Sequence, residues 1–222
     1  MPLIDNAVQK SGFYSMTNPV RLRDLYCQVE RVLDEDIKGD FVEAGVYRGG
    51  SVMCMAYALR YLKGDRKIWL YDTFSGMTEP GEQDFKTGSS YEASLNRWNK
   101  NKASKSNKWN YECLMKVQKN VYSTEYPRER FKFVKGDVCE TIPKEKPGRI
   151  AILRLDTDFY KSTKHLLEHL YPRLSSGGVL IIDDYGAWHG CRLAVQEFFD
   201  EKNLKLSDLN TVDRSCVTFR KP

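Results

Sequence analysis

The feature that most constrains the fold is an apolar run that ends in two adjacent carboxylates, GGVLIIDDYG at residues 177–186. In an open parallel sheet the strands are buried on both faces, read as continuous apolar runs, and bind ligands beyond their carboxyl ends. A second run, IAILRLDTD at residues 150–158, also ends in carboxylates, and a helical segment separates the two runs. The pattern predicts a strand, helix, strand unit whose acidic side chains converge at one edge of the sheet. These side chains are Asp156, Asp158, Asp183 and Asp184.

Several carboxylates at one point would repel one another and raise one another's pKa values. A bound cation relieves that repulsion, and hard oxygen ligands suit magnesium or calcium. The sequence therefore predicts a divalent metal site at this edge of the sheet.

Three further strand-like segments, at residues 40–46, 67–72 and 131–138, also carry acids at or near their ends. In a Rossmann-like sheet an acid at the end of the second strand binds a ribose diol, and Asp72 has that position. Any one such acid could form a turn or cap a helix, but a succession of them is hard to explain in that way. The five acids are Glu43, Asp72, Asp137, Asp156 and Asp183.

The first of these strands leads into a glycine-rich turn, YRGGS at residues 47–51, and then into a helix predicted over residues 52–62. The turn is similar to a nucleotide-binding turn without being G-x-G-x-x-G. Its two glycines and Gly45 would let a ligand approach the backbone, and Ser51 would cap the helix. A tight strand-to-helix turn without a ligand is the alternative.

The rest of the pattern completes one α/β domain over residues 1–222. Asn18 and Pro19 begin a helix that we expect to end near residues 38–39. Together with the chain before it, this helix makes residues 1–39 a helical cover for the sheet edge or for an oligomer face. Two possibilities stay open, namely a homo-oligomer and a contribution of this cover to a ligand lid. Further predicted elements are helices over residues 161–171 and 191–199 and a strand over residues 215–220. We expect a Rossmann-like, mostly parallel sheet with helices on both faces and a C-terminal antiparallel hairpin at its edge.

Composition excludes several classes of protein. A hydrophobic content of 41% describes a folded chain, and the N-terminus has no apolar signal-peptide core. We expect a soluble, cytoplasmic protein without a membrane partner, since no apolar run is long enough to span a bilayer. The six cysteines include no C-x-x-C pair, so we expect reduced cysteines. His165 and His169 have helical spacing for zinc, but no third ligand is evident nearby.

The net charge of +5 is concentrated in one segment, since residues 86–120 contain eight basic and two acidic residues. This local surplus does not predict a nucleic-acid partner, because a groove-fitting element would spread the charge. Residues 81–130 form a lid-like insertion that follows the second strand at its carboxyl end, and we expect a mobile, partly helical cover over an acceptor site. The lysines are either solvated surface or a positive field for an anionic acceptor.

Four motifs in order carry a resemblance to a known family. The sequence from about residue 40 to the C-terminus, except residues 81–130, resembles the macrocin O-methyltransferase family, whose members are class I S-adenosylmethionine-dependent enzymes that methylate sugar hydroxyls with a divalent metal, usually Mg²⁺. The motifs are FVEAGVYRGGS at 41–51, YDTFSGMTEP at 71–80, LRLDTDFYKST at 153–163, and GVLIIDDYG at 178–186 with CRLAV at 191–195.

The resemblance implies roles for individual residues. The methionine part of S-adenosylmethionine would lie against the glycine turn, the ribose on Asp72, and the adenine beside Asp137 and Val138. The implied cofactor-binding set is Glu43, Gly45, Tyr47, Gly49, Gly50, Ser51, Asp72, Thr73, Phe74, Asp137 and Val138. The implied metal ligands are Asp156, Asp183 and Asp184.

The predicted reaction is methyl transfer to a sugar hydroxyl of a small-molecule acceptor. The protein must orient the hydroxyl and make it nucleophilic, which a metal ion and a neighbouring carboxylate do together. Asp156 is the first candidate for the proton acceptor, Asp158 the second, and His189 is close enough in sequence to touch an acceptor. Three alternatives stay open: the same chemistry on a catechol or phenol, an NAD-dependent oxidoreductase, and a non-enzymatic module that binds a metal or nucleotide.

Overall fold

The computed structural model describes residues 2–222, which form a seven-stranded sheet between two layers of helices. The strands are β1 Asp40–Ala44, β2 Ile68–Asp72, β3 Phe131–Lys135, β4 Ile150–Leu155, β5 Leu174–Ile182, β6 Asn210–Thr211 and β7 Val217–Arg220. Their order is β3-β2-β1-β4-β5-β7-β6. The first five strands are parallel, whereas β7 is antiparallel to both β5 and β6. The predicted Rossmann-like sheet and its C-terminal antiparallel hairpin are confirmed.

Helices cover both faces of the sheet. The α-helices are α1 Leu3–Gly12, α2 Pro19–Asp34, α3 Gly50–Tyr61, α4 Tyr91–Asn101, α5 Leu114–Tyr122, α6 Val138–Thr141, α7 Tyr160–Leu170 and α8 His189–Glu201. One core cluster joins α1, α2, α3 and α5 to the sheet, and a second joins α7 and α8 to the opposite face. Among residues 2–222, no helix combines the length and the apolar character needed to cross a bilayer.

The strands are buried on both faces because their side chains alternate between two apolar layers. In β1, Phe41 belongs to the core cluster with α3 and Val42 to the cluster with α7. In β4, Ile152 and Leu153 divide in the same way, and every residue of this strand is buried. This two-sided burial explains why the strands read as continuous apolar runs in the sequence.

The sheet reverses its strand order between β1 and β4, which places a crevice at their carboxyl ends. Gly45 follows β1 at this point with φ +84°, and a Cβ atom built on it would lie 1.8 Å from the carbonyl oxygen of Asp156. The two strand ends therefore approach each other more closely than a side chain at position 45 would allow.

The N-terminal helix α2 begins as predicted. The Asn18 side chain accepts a hydrogen bond from the Arg21 amide at 3.0 Å, and Pro19 occupies the first helical position. The helix ends earlier than predicted, at Asp34 instead of residues 38–39. Asp36 adopts a left-handed conformation, φ 51°, which stops the helix.

The insertion at residues 81–130 contains α4 and α5, which agrees with the expected partly helical character. Its two helices differ in their environment. Val117 and Val121 of α5 are completely buried in the core cluster with α3, whereas Ser94 is the one buried residue of α4. Helix α5 is thus part of the core, and the segment before it lies over the carboxyl edge of the sheet. Its mobility remains a prediction.

Candidate active site

A cavity of about 390 Å³ opens at the carboxyl ends of the parallel strands. It brings together most of the residues that the sequence singled out. Those lining it are Glu43, Gly45, Tyr47, Ser51, Asp72, Thr73, Asp137, Val138, Asp156, Asp158, Asp183 and Asp184. Ser15, Met16 and Thr17, from the connection between α1 and α2, also line it, so the N-terminal segment contributes to the site.

Asp72 joins the end of β2 to the glycine turn after β1. Its Oδ2 atom accepts hydrogen bonds from the amides of Val46 at 2.7 Å and Tyr47 at 3.2 Å. Its Oδ1 atom accepts from the Phe74 amide at 2.7 Å and from Thr73 Oγ1 at 3.4 Å. Burial raises the pKa of Asp72, and these donors oppose the rise. The carboxylate thus organises the turn, and a ribose would have to replace its weakest contact, that of Thr73.

The glycine turn is shaped by close packing against other segments. Gly49 precedes α3 with φ +90°, and a Cβ on it would lie 3.0 Å from Val121 Cγ1. A Cβ on Gly50 would lie 2.5 Å from the Cβ of Ser15. Neither glycine lines the cavity, so the structure gives both a packing role, and their contact with a cofactor remains a prediction.

The segment after β3 borders the other end of the cavity. Asp137 is the N-cap of α6 and accepts a hydrogen bond from the Cys139 amide at 2.8 Å. Val138 is buried beside it and lines the same wall. Phe74, in contrast, turns away from the cavity lining and packs against Phe133, with ring centroids 6.5 Å apart. Residues 137 and 138 could therefore contact an adenine, whereas Phe74 packs against the core and supports the loop that follows β2.

Three carboxylates converge beyond β4 and β5. One oxygen atom from each of Asp156, Asp158 and Asp184 lies within 4.8 Å of the others. Asp184 is 8% exposed, and its Oδ2 atom is buried without a hydrogen-bond partner among residues 2–222. Burial raises the pKa of Asp158 to about 7, and burial together with repulsion from Asp158 and Asp156 raises the pKa of Asp184 well above its ordinary value. We call these three residues the acidic cluster.

A second set of carboxylates beside the acidic cluster is neutralised by arginines. Arg154, 2% exposed, donates to Glu43, to Asp156 Oδ2 at 2.7 Å and to Asp183 Oδ1 at 2.5 Å. Arg21 of α2 donates to Asp183 Oδ2 at 2.6 Å. Burial raises the pKa values of Glu43 and Asp183, and the arginines oppose that rise. Both oxygens of Asp183 are therefore paired. We call Glu43, Asp183, Arg154 and Arg21 the arginine network.

The acidic cluster fits a divalent cation. It offers hard oxygen ligands, three of them close enough to share one ion, and a buried carboxylate oxygen on Asp184 that lacks a donor. Repulsion from Asp158 and Asp156 raises the pKa of Asp184, which is the direction that converging carboxylates predict. Asp183, the third ligand implied by the family resemblance, lies next to the cluster, and it would have to give up one arginine contact to bind the ion.

Sequence reasoning missed the role of Arg154. The available signal was a charged residue inside the fully apolar run of β4, since such a residue is buried only with partners. It also missed Asp84, which is 2% exposed and accepts hydrogen bonds from the amides of Gly81 at 2.8 Å and Tyr160 at 2.7 Å. Asp84 thereby ties the start of the insertion to the first turn of α7, two residues after Asp158.

Aromatic rings and cations form the wall opposite the glycine turn. Trp109 and Trp188 have ring centroids 6.0 Å apart, and both pack edge-on against Phe159, at 6.0 and 5.2 Å. The two tryptophans line the cavity together with Lys86 and Arg97 from the insertion. Trp109 and Trp188 are 4% and 3% exposed, so they form an aromatic wall beside the acidic cluster.

The three histidines lie outside the cavity lining. His189 is exposed at the start of α8, where it stacks on Phe85 at 4.5 Å and its Nδ1 atom lies 3.3 Å from the Gln83 carbonyl oxygen. The rings of His165 and His169 lie 4.2 Å apart, and no third metal-ligating side chain joins them among residues 2–222, where the acidic cluster is the one group of three placed to share an ion. All six cysteines are free, as predicted.

Comparisons with known proteins agree with this geometry. The family model described as macrocin-O-methyltransferase matches residues 9–221. A Streptomyces olivaceus enzyme, 8-demethyl-8-(2,3-dimethoxy-alpha-L-rhamnosyl)-tetracenomycin-C 4'-O-methyltransferase, is 38% identical over 187 residues, which cover 83% of this chain and 67% of that enzyme. Mycinamicin III 3''-O-methyltransferase of Micromonospora griseorubida is 32% identical over 209 residues, 94% of this chain and 78% of that enzyme.

Solved structures share the fold. The O-methyltransferase NovP is 31% identical with a TM-score of 0.81, and the match covers 94% of this chain and 82% of NovP. A calicheamicin methyltransferase superposes with a TM-score of 0.69 at 18% identity, over 99% of this chain and 93% of that protein. A Bacillus cereus O-methyltransferase in complex with S-adenosylhomocysteine (SAH) superposes with a TM-score of 0.53 at 11% identity, and the match covers 100% of this chain and 91% of that protein. The last two share the fold alone, and together the three confirm the predicted methyltransferase architecture.

Proposed function

The chain belongs to the macrocin-O-methyltransferase family and is an O-methyltransferase, and we propose that it methylates a sugar hydroxyl of a glycosylated natural product with S-adenosylmethionine and Mg²⁺. The observation that carries the proposal is the position of the acidic cluster. It lies in the same cavity as Asp72 and the glycine turn, so a cofactor and a cation would meet in one chamber.

The cofactor would occupy the side of the cavity formed by β1, β2 and β3. Tyr47, Ser51, Asp72, Thr73 and Asp137 line this side. Tyr47 and Ser51 would contact the methionine part of the cofactor, Asp72 and Thr73 the ribose, and Asp137 the adenine. The Bacillus cereus relative in fold binds SAH, the product of S-adenosylmethionine. When bound, S-adenosylmethionine supplies a methyl group on a sulfonium sulfur that is already a good leaving group.

The cation would be held by Asp156 and Asp184, which belong both to the geometric cluster and to the ligand set implied by the family. When bound, Mg²⁺ would lower the pKa of an acceptor hydroxyl and fix its orientation. Asp183 remains the predicted third ligand. The arginine network would hold the ligands in place, because Arg154 contacts Asp156 and Asp183 directly.

Asp158 is the residue that we assign as proton acceptor. Asp156 has one oxygen paired with Arg154, which makes that oxygen less available to a proton, whereas no arginine contacts Asp158 in the ion pairs of residues 2–222. A carboxylate that lies beside the acceptor and has no ion-pair partner suits a general base. The acceptor oxygen would form a bond to the methyl carbon as the carbon–sulfur bond breaks, and its proton would move to an Asp158 oxygen. His189, which lies outside the cavity lining, has no step in this scheme.

The acceptor would lie against Trp109 and Trp188. Apolar and aromatic faces pack well against the C–H faces of a sugar ring, and two tryptophans beside the acidic cluster provide them. The names of the related enzymes support a sugar hydroxyl as the position methylated, since the Streptomyces olivaceus enzyme acts on a rhamnosyl tetracenomycin. The insertion before α5 would close this side as a lid, with Asp84 as its fixed attachment.

The test is an assay of SAH release from S-adenosylmethionine with a panel of rhamnosylated polyketides, a catechol and a simple phenol. The proposal expects turnover with a glycosylated acceptor, loss of turnover in EDTA, and recovery with Mg²⁺. Turnover with the catechol alone would move the acceptor class to phenols. Full activity in EDTA would exclude a role for the cation in the reaction. Calorimetric binding of NAD in preference to S-adenosylmethionine would overturn the proposal.

The role of Asp183 requires a separate variant, because its two arginine contacts indicate a structural role whereas the family resemblance implies a metal ligand. If it is the third ligand, Asp183→Asn should weaken Mg²⁺ binding as much as Asp184→Asn does. If it serves only to hold Arg154 and Arg21, the same variant should lower the free energy of unfolding and leave Mg²⁺ affinity within about threefold, roughly 0.6 kcal/mol. Calorimetric titration and urea unfolding of the two variants separate these outcomes.

A further inference from the structure

We propose that the acceptor carries an anionic group, a phosphate or a carboxylate, and that Arg97 and Lys86 bind this group at the mouth of the cavity. The inference rests on the proposed function, since it concerns the molecule that lies against Trp109 and Trp188. It specifies the charge of that molecule, which the family relationship leaves open.

The structure selects two cations from the basic segment. Of the eight basic residues at 86–120, Lys86 and Arg97 line the cavity. Other members are engaged elsewhere: Lys116 pairs with Glu112 at 3.4 Å, and Lys102 lies 4.5 Å from the Trp98 ring centroid. Among residues 2–222, neither Lys86 nor Arg97 forms an ion pair. The basic segment therefore presents to the cavity two positive charges that no ion pair among the described residues holds.

Both cations are held on the aromatic wall. The Arg97 guanidinium carbon lies 4.3 Å from the Trp109 ring centroid, and Lys86 Nζ lies 5.5 Å from that of Trp188. A guanidinium stacked on a ring keeps its N–H edge free, and that edge fits a carboxylate or a phosphate. The strand-like bridge between Lys86 and Trp188 fixes the lysine backbone as well. An acceptor ring on the tryptophans would thus have two positioned cations beside it.

The two cations differ in how specific they are. Lys86 also attracts the Asp158 carboxylate, so part of its charge serves the acidic cluster. Arg97 is stacked on Trp109 and forms no ion pair among residues 2–222, so it is the better reporter of an acceptor anion. The test therefore centres on Arg97→Gln, with Lys86→Met as the second variant.

The experiment measures binding instead of turnover. Wild-type protein saturated with SAH is titrated calorimetrically with two matched pairs of probes: uridine diphosphate against uridine, and phenyl glucuronide against phenyl glucoside. At least one charged probe should bind about tenfold more tightly than its neutral partner, a difference of roughly 1.4 kcal/mol. The pair with the larger ratio distinguishes a phosphate from a carboxylate. The ratio should fall at high salt, since exposed charges are screened.

The variants complete the test. In Arg97→Gln, the affinity for the charged probe should come within about threefold of the affinity for the neutral probe, a difference of roughly 0.6 kcal/mol. Lys86→Met should also reduce the ratio of the two affinities. The matched control, Lys100→Met with Lys105→Met, removes two charges of the same segment outside the cavity lining and should leave the ratio unchanged. Equal affinities in the wild type, absence of binding by both charged probes, or an Arg97→Gln variant with the wild-type ratio would each overturn the inference. Failure to bind SAH at the outset would count against the proposed function instead.

Discussion

Two groups of buried carboxylates lie side by side at the carboxyl edge of the sheet and differ in their partners. Glu43 and Asp183, 1% and 4% exposed, contact Arg154 directly. Asp184, 8% exposed, has an oxygen atom without any donor, and it shares its surroundings with Asp158. Asp184 is about as buried as Glu43 and Asp183, whereas Asp156 and Asp158 are half-buried, so the main difference between the two groups lies in how their charges are neutralised. The fold supplies the countercharge for one group and leaves it to an external cation for the other.

The comparison separates structural acids from functional ones. Removing a carboxylate from water costs several kcal/mol unless a countercharge and hydrogen bonds replace the solvent. In the arginine network that compensation is internal and permanent, so the network contributes to the stability and orientation of the site. In the acidic cluster it is partial: Arg154 pairs with one oxygen of Asp156, and no ion pair among residues 2–222 reaches Asp158 or Asp184. The remaining negative charge leaves an attraction for a divalent ion.

The largest effect should follow from Arg154→Met. The variant leaves Glu43 without its ion-pair partner and removes one of the two arginines that hold Asp183, and breaking a buried pair in this way costs about 3–5 kcal/mol of unfolding free energy. Urea unfolding measures the loss. The control is Arg130→Met, which breaks the exposed pair with Asp65 at 2.6 Å and should cost less than about 1 kcal/mol. A loss from Arg154→Met as small as that of the control would show that the network does not stabilise the fold.

The Asp158→Asn variant tests the acidic cluster. If Asp158 accepts the acceptor proton, kcat should fall about 10²-fold or more, because a positioned general base contributes at least that much. SAH affinity, measured by calorimetry, should change little, and Mg²⁺ affinity should fall less than it does in Asp184→Asn, because a neighbouring negative charge is lost without the loss of a ligand. The opposite pattern, in which Mg²⁺ affinity falls as steeply as it does in Asp184→Asn, would make Asp158 a metal ligand and leave the proton acceptor to be found elsewhere.

Asp72→Ala should have the smallest of the three effects. Loss of charge-assisted hydrogen bonds to a ribose should weaken S-adenosylmethionine by about 1.5–3 kcal/mol, at least tenfold in dissociation constant. Because Asp72 also accepts from the Val46 and Phe74 amides, the unfolding free energy must be measured alongside. A stability loss with unchanged cofactor affinity would restrict Asp72 to holding the turn.

Much of the fold could be predicted from the sequence because buried parallel strands have a simple signature. The five parallel strands were located by their apolar runs, and β4 was predicted over the same residues that it occupies. The convergence of Asp156, Asp158 and Asp184 followed from topology alone, since parallel strands that leave one edge bring their end residues together. The cap at Asn18 and the C-terminal hairpin depended on equally local signals.

The partners of the carboxylates could not be predicted in the same way. Arg21 and Asp183 are 162 positions apart in the chain, and no local sequence pattern predicts their contact. The position after the second strand predicts one lid-like insertion over residues 81–130, whereas Val117 and Val121 place α5 in the core. His189 was considered for catalysis from its nearness in sequence to Asp184, but the turn before α8 directs it to Phe85, outside the cavity lining. Long-range pairing and side-chain direction require the three-dimensional structure.

The most direct test of the two-group account is a calorimetric titration of Mg²⁺ into the wild type, Asp184→Asn and Glu43→Gln. Both substitutions replace one buried carboxylate by an amide of the same size, one in the acidic cluster and one in the arginine network. The account predicts one Mg²⁺ per chain in the wild type, an affinity at least about tenfold lower in Asp184→Asn, and a change below about threefold in Glu43→Gln. Equal losses in the two variants, or a wild-type protein that binds no Mg²⁺, would contradict it.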